Sequence, residues 1–242
     1  MTPASQFTYR PIVVLLPLLA LLSIWTVFLI EIRLGISFNS YGIFPRSLSG
    51  LIGIIASPFI HGSTSHLYNN TVPLAVLLAA LCYFYKDSYV KVILFGVLLS
   101  GLGTWCMGRP AYHIGASGLI YVLTSFIFFK GIQTKHYRLI AVSLAVVFVY
   151  GSTIWHIFPI QDEISWEGHL AGFVTGIILA FTIKDVPLAK VKYVWEQTDY
   201  TPEEDTFMQH FDENGNFVPS SELYPEEEEV KVIYTYTTNK ED

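Results

Sequence analysis

The sequence predicts an all-α membrane protein, a bundle of six transmembrane helices followed by a polar cytoplasmic tail. Three observations predict it. The 242 residues are 52% hydrophobic and only 14% charged, with a mean hydropathy of +0.46. The apolar residues gather into six runs, most of them near the ~20 residues a helix needs to cross a bilayer. Lys and Arg flank those runs unevenly, as the positive-inside rule requires.

The expected spans cover about 12–31, 66–85, 89–107, 115–130, 138–156 and 165–184. The first run is too long for a signal peptide and no small-residue cleavage site follows it. With the N-terminus inside, the inner segments carry Arg10, Lys86, Lys91, Lys130, Lys135, Arg138, Lys184, Lys190 and Lys192. The outer loops carry only Arg33, Arg46 and Arg109. Both termini are therefore expected in the cytoplasm, with residues 1–11 as an inner lead, 12–185 as the bundle and 186–242 as a tail.

Segments outside the spans have their own signatures. The first loop, about 34–63, is long for a helix connection and is expected to be structured. Its apolar run from Leu51 to Ile60 is too short to span and reads as interfacial or re-entrant. The tail has little core-forming material through Glu229 and is expected to be largely disordered. It holds a turn at Asp212-Glu213-Asn214-Gly215-Asn216, a solvated acidic block at Glu226–Glu229 and an alternating stretch, Val230–Thr237, that suits a strand. The net charge of −6 comes largely from this tail. Scattered Lys and Arg give no nucleic-acid footprint. Cys82 and Cys106 fall near opposite membrane faces, which excludes a disulfide between them.

Three polar clusters interrupt the apolar runs: His66-Leu67-Tyr68-Asn69-Asn70, Gly115-Ala116-Ser117-Gly118 and Gly168-His169-Leu170-Ala171-Gly172. Each lies at the N-terminal edge of an even-numbered span. Even-numbered spans run in the same direction, so the clusters should meet at one depth, on the outer side. Polar groups in hydrocarbon are costly and usually functional. The fourth span strengthens this expectation by being short. From Ser117 to Phe129 it offers about 13 residues, roughly 20 Å at 1.5 Å per residue, against about 30 Å of hydrocarbon. Ser117 is thus expected below the outer surface, in a wet pocket walled by protein, where Gly115 and Gly118 allow close backbone approach.

A serine and a histidine are the minimum set for nucleophilic catalysis. Ser117 at a helix N-terminus would have free N–H groups beside it to stabilise an oxyanion. Tyr121, one helical turn on, is placed to pack against an imidazole. Gly172 and Gly176 form a smooth strip on the sixth span, which would let it press against the fourth and bring His169 to Ser117. His66 and Asn70 share one helical face and suit a pair of oxyanion donors, or polar glue between helices. Asp162 and Glu163 lie in a loop and Glu167 points elsewhere on its helix, so a Ser-His dyad is expected rather than a triad.

These residues, in this order and on these spans, resemble a rhomboid intramembrane serine protease of the six-span bacterial type over about residues 12–185. The resemblance implies Ser117 as nucleophile and His169 as general base. It implies an oxyanion hole of His66, Asn70 and the Ser117 N–H, with Tyr121 stacked on the catalytic histidine and His61 bracing the first loop. It further implies a bacterial inner-membrane enzyme that needs no cofactor or metal. Its partners would be transmembrane protein substrates and the lipid bilayer. In one respect the sequence departs from the pattern: many rhomboids carry a Trp-Arg pair in loop one, and this loop has Arg46 but no tryptophan. Two alternatives stand beside this reading. One is a catalytically inactive rhomboid-like binding protein. The other is a metal or proton transporter using His61, His66, His113, His156 and His169, which lacks the carboxylate-rich helix such a site would call for.

Overall fold

In hydrocarbon a backbone must satisfy its own polar groups, and a helix does so within one segment. The apolar runs accordingly fold as helices. The computed structural model describes residues 9–160, 164–184, 198–201, 204–223 and 234. The helices are α1 (Ile12–Leu34), α2 (Gly53–Ala56), α3 (Thr64–Phe84), α4 (Tyr89–Met107), α5 (Ser117–Gln133), α6 (Tyr137–Tyr150), α7 (Trp166–Thr182) and α8 (Ser220–Leu223). Among the described residues there is no strand, only single bridges pairing Ile43 with His113 and Phe211 with Phe217. The chain divides into two units, Met1–Leu188 and Ala189–Asp242.

Among the described residues, four helical stretches are long and apolar enough to cross a membrane: Ile12–Leu34, Thr64–Phe84, Tyr89–Met107 and Tyr137–Ile157. The last is α6 continued by a 3-10 helix, Gly151–Ile157. Their outer faces are apolar. Leu18, Leu22 and Leu29 of α1 stand exposed, and Phe148 of α6 is 92% exposed. A surface of this kind marks a membrane protein, since lipid tails are as apolar as leucine.

Helices α5 and α7 are shorter, 17 residues each, or about 25 Å at 1.5 Å per residue. They lie inside the bundle. Val122, Leu123, Phe126 and Ile127 of α5 are wholly buried, against Leu67, Leu77 and Leu81 of α3 in one core. The most extensive helix pairing is α5 on α7, and two glycines set its closeness. A Cβ on Gly172 would collide with the Gly118 carbonyl and come within 3.0 Å of the Tyr121 Cβ. One on Gly176 would collide with the Ser125 hydroxyl and the Val122 carbonyl.

Lys130, near the end of α5, is buried. Its ammonium donates to the Ala180 and Ile183 carbonyls at 3.1 and 2.5 Å. A cation at a helix C-terminus meets the orphan carbonyls and the negative end of the dipole. The charge that sequence reading assigns to the inner surface thus also fastens α7 to α5.

The first loop is folded, not extended. It carries 3-10 helices at Asn39–Tyr41, Ser49–Ile52 and Ser57–Phe59 around α2. The tryptophan missing from this loop has a counterpart on α4. Trp105 Nε1 donates to the Ser47 carbonyl at 2.8 Å. The Arg46 amide donates back to the Trp105 carbonyl at 3.1 Å, and its guanidinium reaches the Cys106 carbonyl at 3.1 Å. At the other end, Glu31 of α1 accepts the Phe38 N–H at 2.6 Å.

In the second unit, Asp212 accepts the backbone N–H groups of Asn214 and Asn216 at 2.9 and 2.8 Å. This closes the expected turn beneath the Phe211–Phe217 bridge. The strand expected at Val230–Thr237 lies outside the described residues except for position 234, as do Glu226–Glu229.

Adding one methyl group to the α5–α7 seam should be felt. Gly176→Ala is expected to lower stability by about 1–3 kcal/mol, the usual cost of overpacking. Thermal unfolding in detergent reads it, and an unchanged midpoint would mean the two helices have room to spare.

Candidate active site

The N-terminal ends of α3, α5 and α7 open onto one cavity of about 860 Å³. His66, Asn70, Ser117, Tyr121 and His169 all line it. Ser117 is the first residue of α5, and no side chain caps that helix. The first N–H groups of a helix have no intrahelical partner, so those of α5 lie uncapped by any side chain at Ser117.

His169 is buried, and its ring lies flat on Tyr121, with centroids 4.4 Å apart and planes 15° from parallel. Tyr121 is in turn fixed by its hydroxyl, which donates to the Thr153 carbonyl at 2.5 Å. His169 Nδ1 lies 3.0 Å from the His156 carbonyl. A carbonyl only accepts, so Nδ1 carries the hydrogen and Nε2 keeps its lone pair. Both carbonyls come from the 3-10 helix Gly151–Ile157. Sequence reading missed them, because a backbone acceptor leaves no mark in the residue types. No hydrogen bond joins Ser117 to His169 in this structure. They share the cavity across the Gly118–Gly172 contact, and such bonds often tighten only with substrate present.

Gly115 sits beneath His66 and Asn70. Its φ is +106°, and a Cβ there would lie 2.5 Å from His66 Nε2 and 3.4 Å from Asn70 Nδ2. The two donors therefore converge over one point of the backbone, two residues before Ser117. Asn70 is 4% exposed, yet its Nδ2 has no partner. A buried donor left open is costly unless something visits it. The close approach expected at Gly118 is made by its carbonyl, which a Cβ on the facing Gly172 would strike. A Cβ on Gly118 itself would meet only ordinary contacts, 3.6 Å from the Gly168 carbonyl and 3.8 Å from the Ser100 hydroxyl.

His61 is 2% exposed and packs edge-on to His66, with centroids 5.0 Å apart. Neither of its ring nitrogens has a hydrogen bond of good geometry. Burial, then the neighbouring His66, pushes its pKa down to about 4, with the Phe59 carbonyl pulling the other way. The ring is thus a neutral wedge at the foot of loop one. Glu167 points away from His169, as expected, and toward Arg109. It is fully buried and accepts the Arg109 N–H at 3.1 Å, while Asp162 and Glu163 lie outside the described residues. Among the described residues, no three His, Cys, Asp or Glu side chains gather in a group that could hold a metal ion.

Apolar helices around a cavity that holds a serine at a helix start and a histidine oriented by a backbone carbonyl define a class of integral membrane protein. Comparison places the chain within it. Residues 49–185 match the rhomboid domain. Uncharacterized proteins of Mycobacterium tuberculosis and Mycobacterium bovis are each 35% identical over 198 residues, covering 75% of this chain and 81% of theirs. An uncharacterized protein of Mycobacterium leprae is 30% identical over 158 residues, covering 61% and 62%. The chain belongs to the rhomboid family.

The two glycines flanking Ser117 should respond differently. Gly115→Ala combines a left-handed backbone with a clash against His66, and about 1–3 kcal/mol of stability should be lost. Gly118→Ala should stay within about 1 kcal/mol of the parent. Thermal unfolding of both variants in detergent checks the contrast, and equal midpoints would contradict it.

Proposed function

We propose that the chain is an intramembrane serine endopeptidase. It crosses the membrane six times, with both termini in the cytoplasm and the active site toward the outer side. Its substrates are membrane-anchored proteins, cut in or near a spanning helix. The observation that carries this reading is His169. Its Nδ1–H is spent on the His156 carbonyl and its ring is clamped on Tyr121, which leaves Nε2 as a base in the cavity that holds Ser117.

The chemistry follows from these positions. Ser117 Oγ attacks the scissile carbonyl carbon and gives its proton to His169 Nε2. The carbonyl oxygen becomes an oxyanion, met by Asn70 Nδ2, the His66 ring and the uncapped N–H groups at the start of α5. His169 then passes its proton to the leaving amine as the C–N bond breaks. Water, deprotonated by the same nitrogen, then adds to the acyl carbon, and the proton returns from Nε2 to Ser117 Oγ as the ester C–O bond breaks. A carbonyl does for His169 the orienting work that an aspartate does in a triad, so the pair acts as a dyad.

Ser117→Ala and His169→Ala should each abolish cleavage of a reporter transmembrane substrate and labelling by a fluorophosphonate, with the fold retained. The double variant should be no slower than either single one, because the two act as a unit. Failure of the wild-type protein to label at Ser117 would leave it an inactive, binding member of the family.

Asn70→Ala should reduce kcat by roughly 10–1,000-fold with a smaller change in KM, the order found on removing one oxyanion donor. Full kcat in that variant would make Asn70 helix glue.

A further inference from the structure

The loop that leads into Ser117 is tied to the start of α7 by two residues that the reaction above does not use. His113 lies four positions before Ser117 and is 5% exposed. Its backbone pairs both ways with Ile43 of loop one at 2.9 Å. Its Nε2 lies 3.1 Å from the Arg109 carbonyl, which can only accept, so Nε2 carries the hydrogen. In the neutral ring Nδ1 is then an acceptor. Ser165 Oγ lies 2.6 Å from it and donates its hydroxyl hydrogen. The same oxygen accepts the Gly168 N–H at 3.3 Å and caps α7. Burial pushes the His113 pKa down, against the opposing pull of the Arg109 carbonyl, which keeps the ring in this neutral form.

Arg109 works beside it. Its amide donates to Glu167 Oε1 at 3.1 Å. Its guanidinium lies 3.7 Å from the second carboxylate oxygen and donates to the Ile164 carbonyl at 2.9 Å. Ile164 and the N-cap Ser165, just before α7, and Glu167 in its first turn are thus all held from the loop 108–116. Ser165 stands one turn before His169, and His113 one turn's length of chain before Ser117. The network joins the loop that leads into Ser117 to the start of the helix that carries His169.

Building on the protease reading, we propose that His113 is a positioning residue. Through the Ser165 hydroxyl it holds the start of α7, and with it His169, in register with the loop that delivers Ser117. Ser165 is not the nucleophile: its oxygen is committed to the α7 cap, while the unpartnered Asn70 donor lies over Gly115, beside Ser117.

The test compares full-length wild type, His113→Ala, His113→Gln and Ser165→Gly. Glycine is nearly as good a helix cap as serine but has no hydroxyl, so Ser165→Gly removes the link while sparing the helix. For His113→Ala and Ser165→Gly, kcat on a reporter transmembrane substrate should fall about 10–100-fold, the scale of an ångström-sized misplacement. KM should stay within about twofold. The rate of fluorophosphonate labelling at Ser117 should fall in parallel. Glutamine carries an amide NH₂ donor and a carbonyl acceptor, and His113→Gln should recover part of kcat. The double variant His113→Ala/Ser165→Gly should be no slower than the worse single one. Unchanged kcat in Ser165→Gly, a rise in KM alone, or labelling mapped to Ser165 would each overturn the proposal. Wild type that neither cleaves nor labels would sink the protease reading and this inference together. Active wild type with indifferent variants sinks the inference alone.

Discussion

The structure depends on the absence of a side chain at Gly172. There α7 lies directly on the Gly118 carbonyl of α5. Helices in lipid gain no hydrophobic driving force from one another, so they associate where small residues let backbones come close. That contact puts Ser117 and His169 on facing helices at one depth, and it brings the His169 ring onto Tyr121. A helix pair a methyl group wider would lose both the stack and the shared cavity. Gly176 repeats the contact a turn deeper, and Lys130 closes the seam by capping α7 from α5. Glycine, tyrosine and lysine thus make three different physical contributions to one alignment.

Polar groups within the bundle are sparing, and the exceptions without a hydrogen bond, among the described residues, include Asn70 Nδ2 and both His61 ring nitrogens, in a medium where an unpaired group is costly. The histidine is oriented by a backbone carbonyl, which brings no charge and needs no further partner. The buried carboxylate beside it, Glu167, is spent on Arg109 in the preceding loop. A carboxylate against His169 would favour a charged imidazole in the resting state. A carbonyl fixes the tautomer and leaves the ring ready to accept a proton. Asn70 Nδ2 remains open, which under the proposed mechanism suits a donor whose acceptor forms only in the reaction.

Loop one shows how one structural need is met by different means. Its attachment to the bundle runs through Trp105 on α4, the Arg46 backbone and side chain, and the Ile43–His113 bridge. The indole sits about sixty residues from the loop it supports. The glycines of this loop pack backbone on backbone: a Cβ at Gly50 would strike Phe44, and one at Gly53 would strike Gly42 and Ile43. The loop is therefore a compact piece, packed backbone on backbone and tied to the bundle.

Helix positions, their apolar character, the shortness of α5 and the clustering of His66, Asn70, Ser117 and His169 were determined by sequence alone. Periodicity, length against bilayer thickness and the cost of burying polar residues are local properties, and they can be read along the chain. Tertiary structure alone decided what each polar group meets. The carbonyls of Thr153 and His156 as partners of Tyr121 and His169, the Arg109–Glu167 and His113–Ser165 links, Trp105 under loop one, and the room beside Gly118 leave no trace in residue type. Each depends on the relative register of segments far apart in the chain. That register is set by how whole helix faces pack, which no single residue specifies.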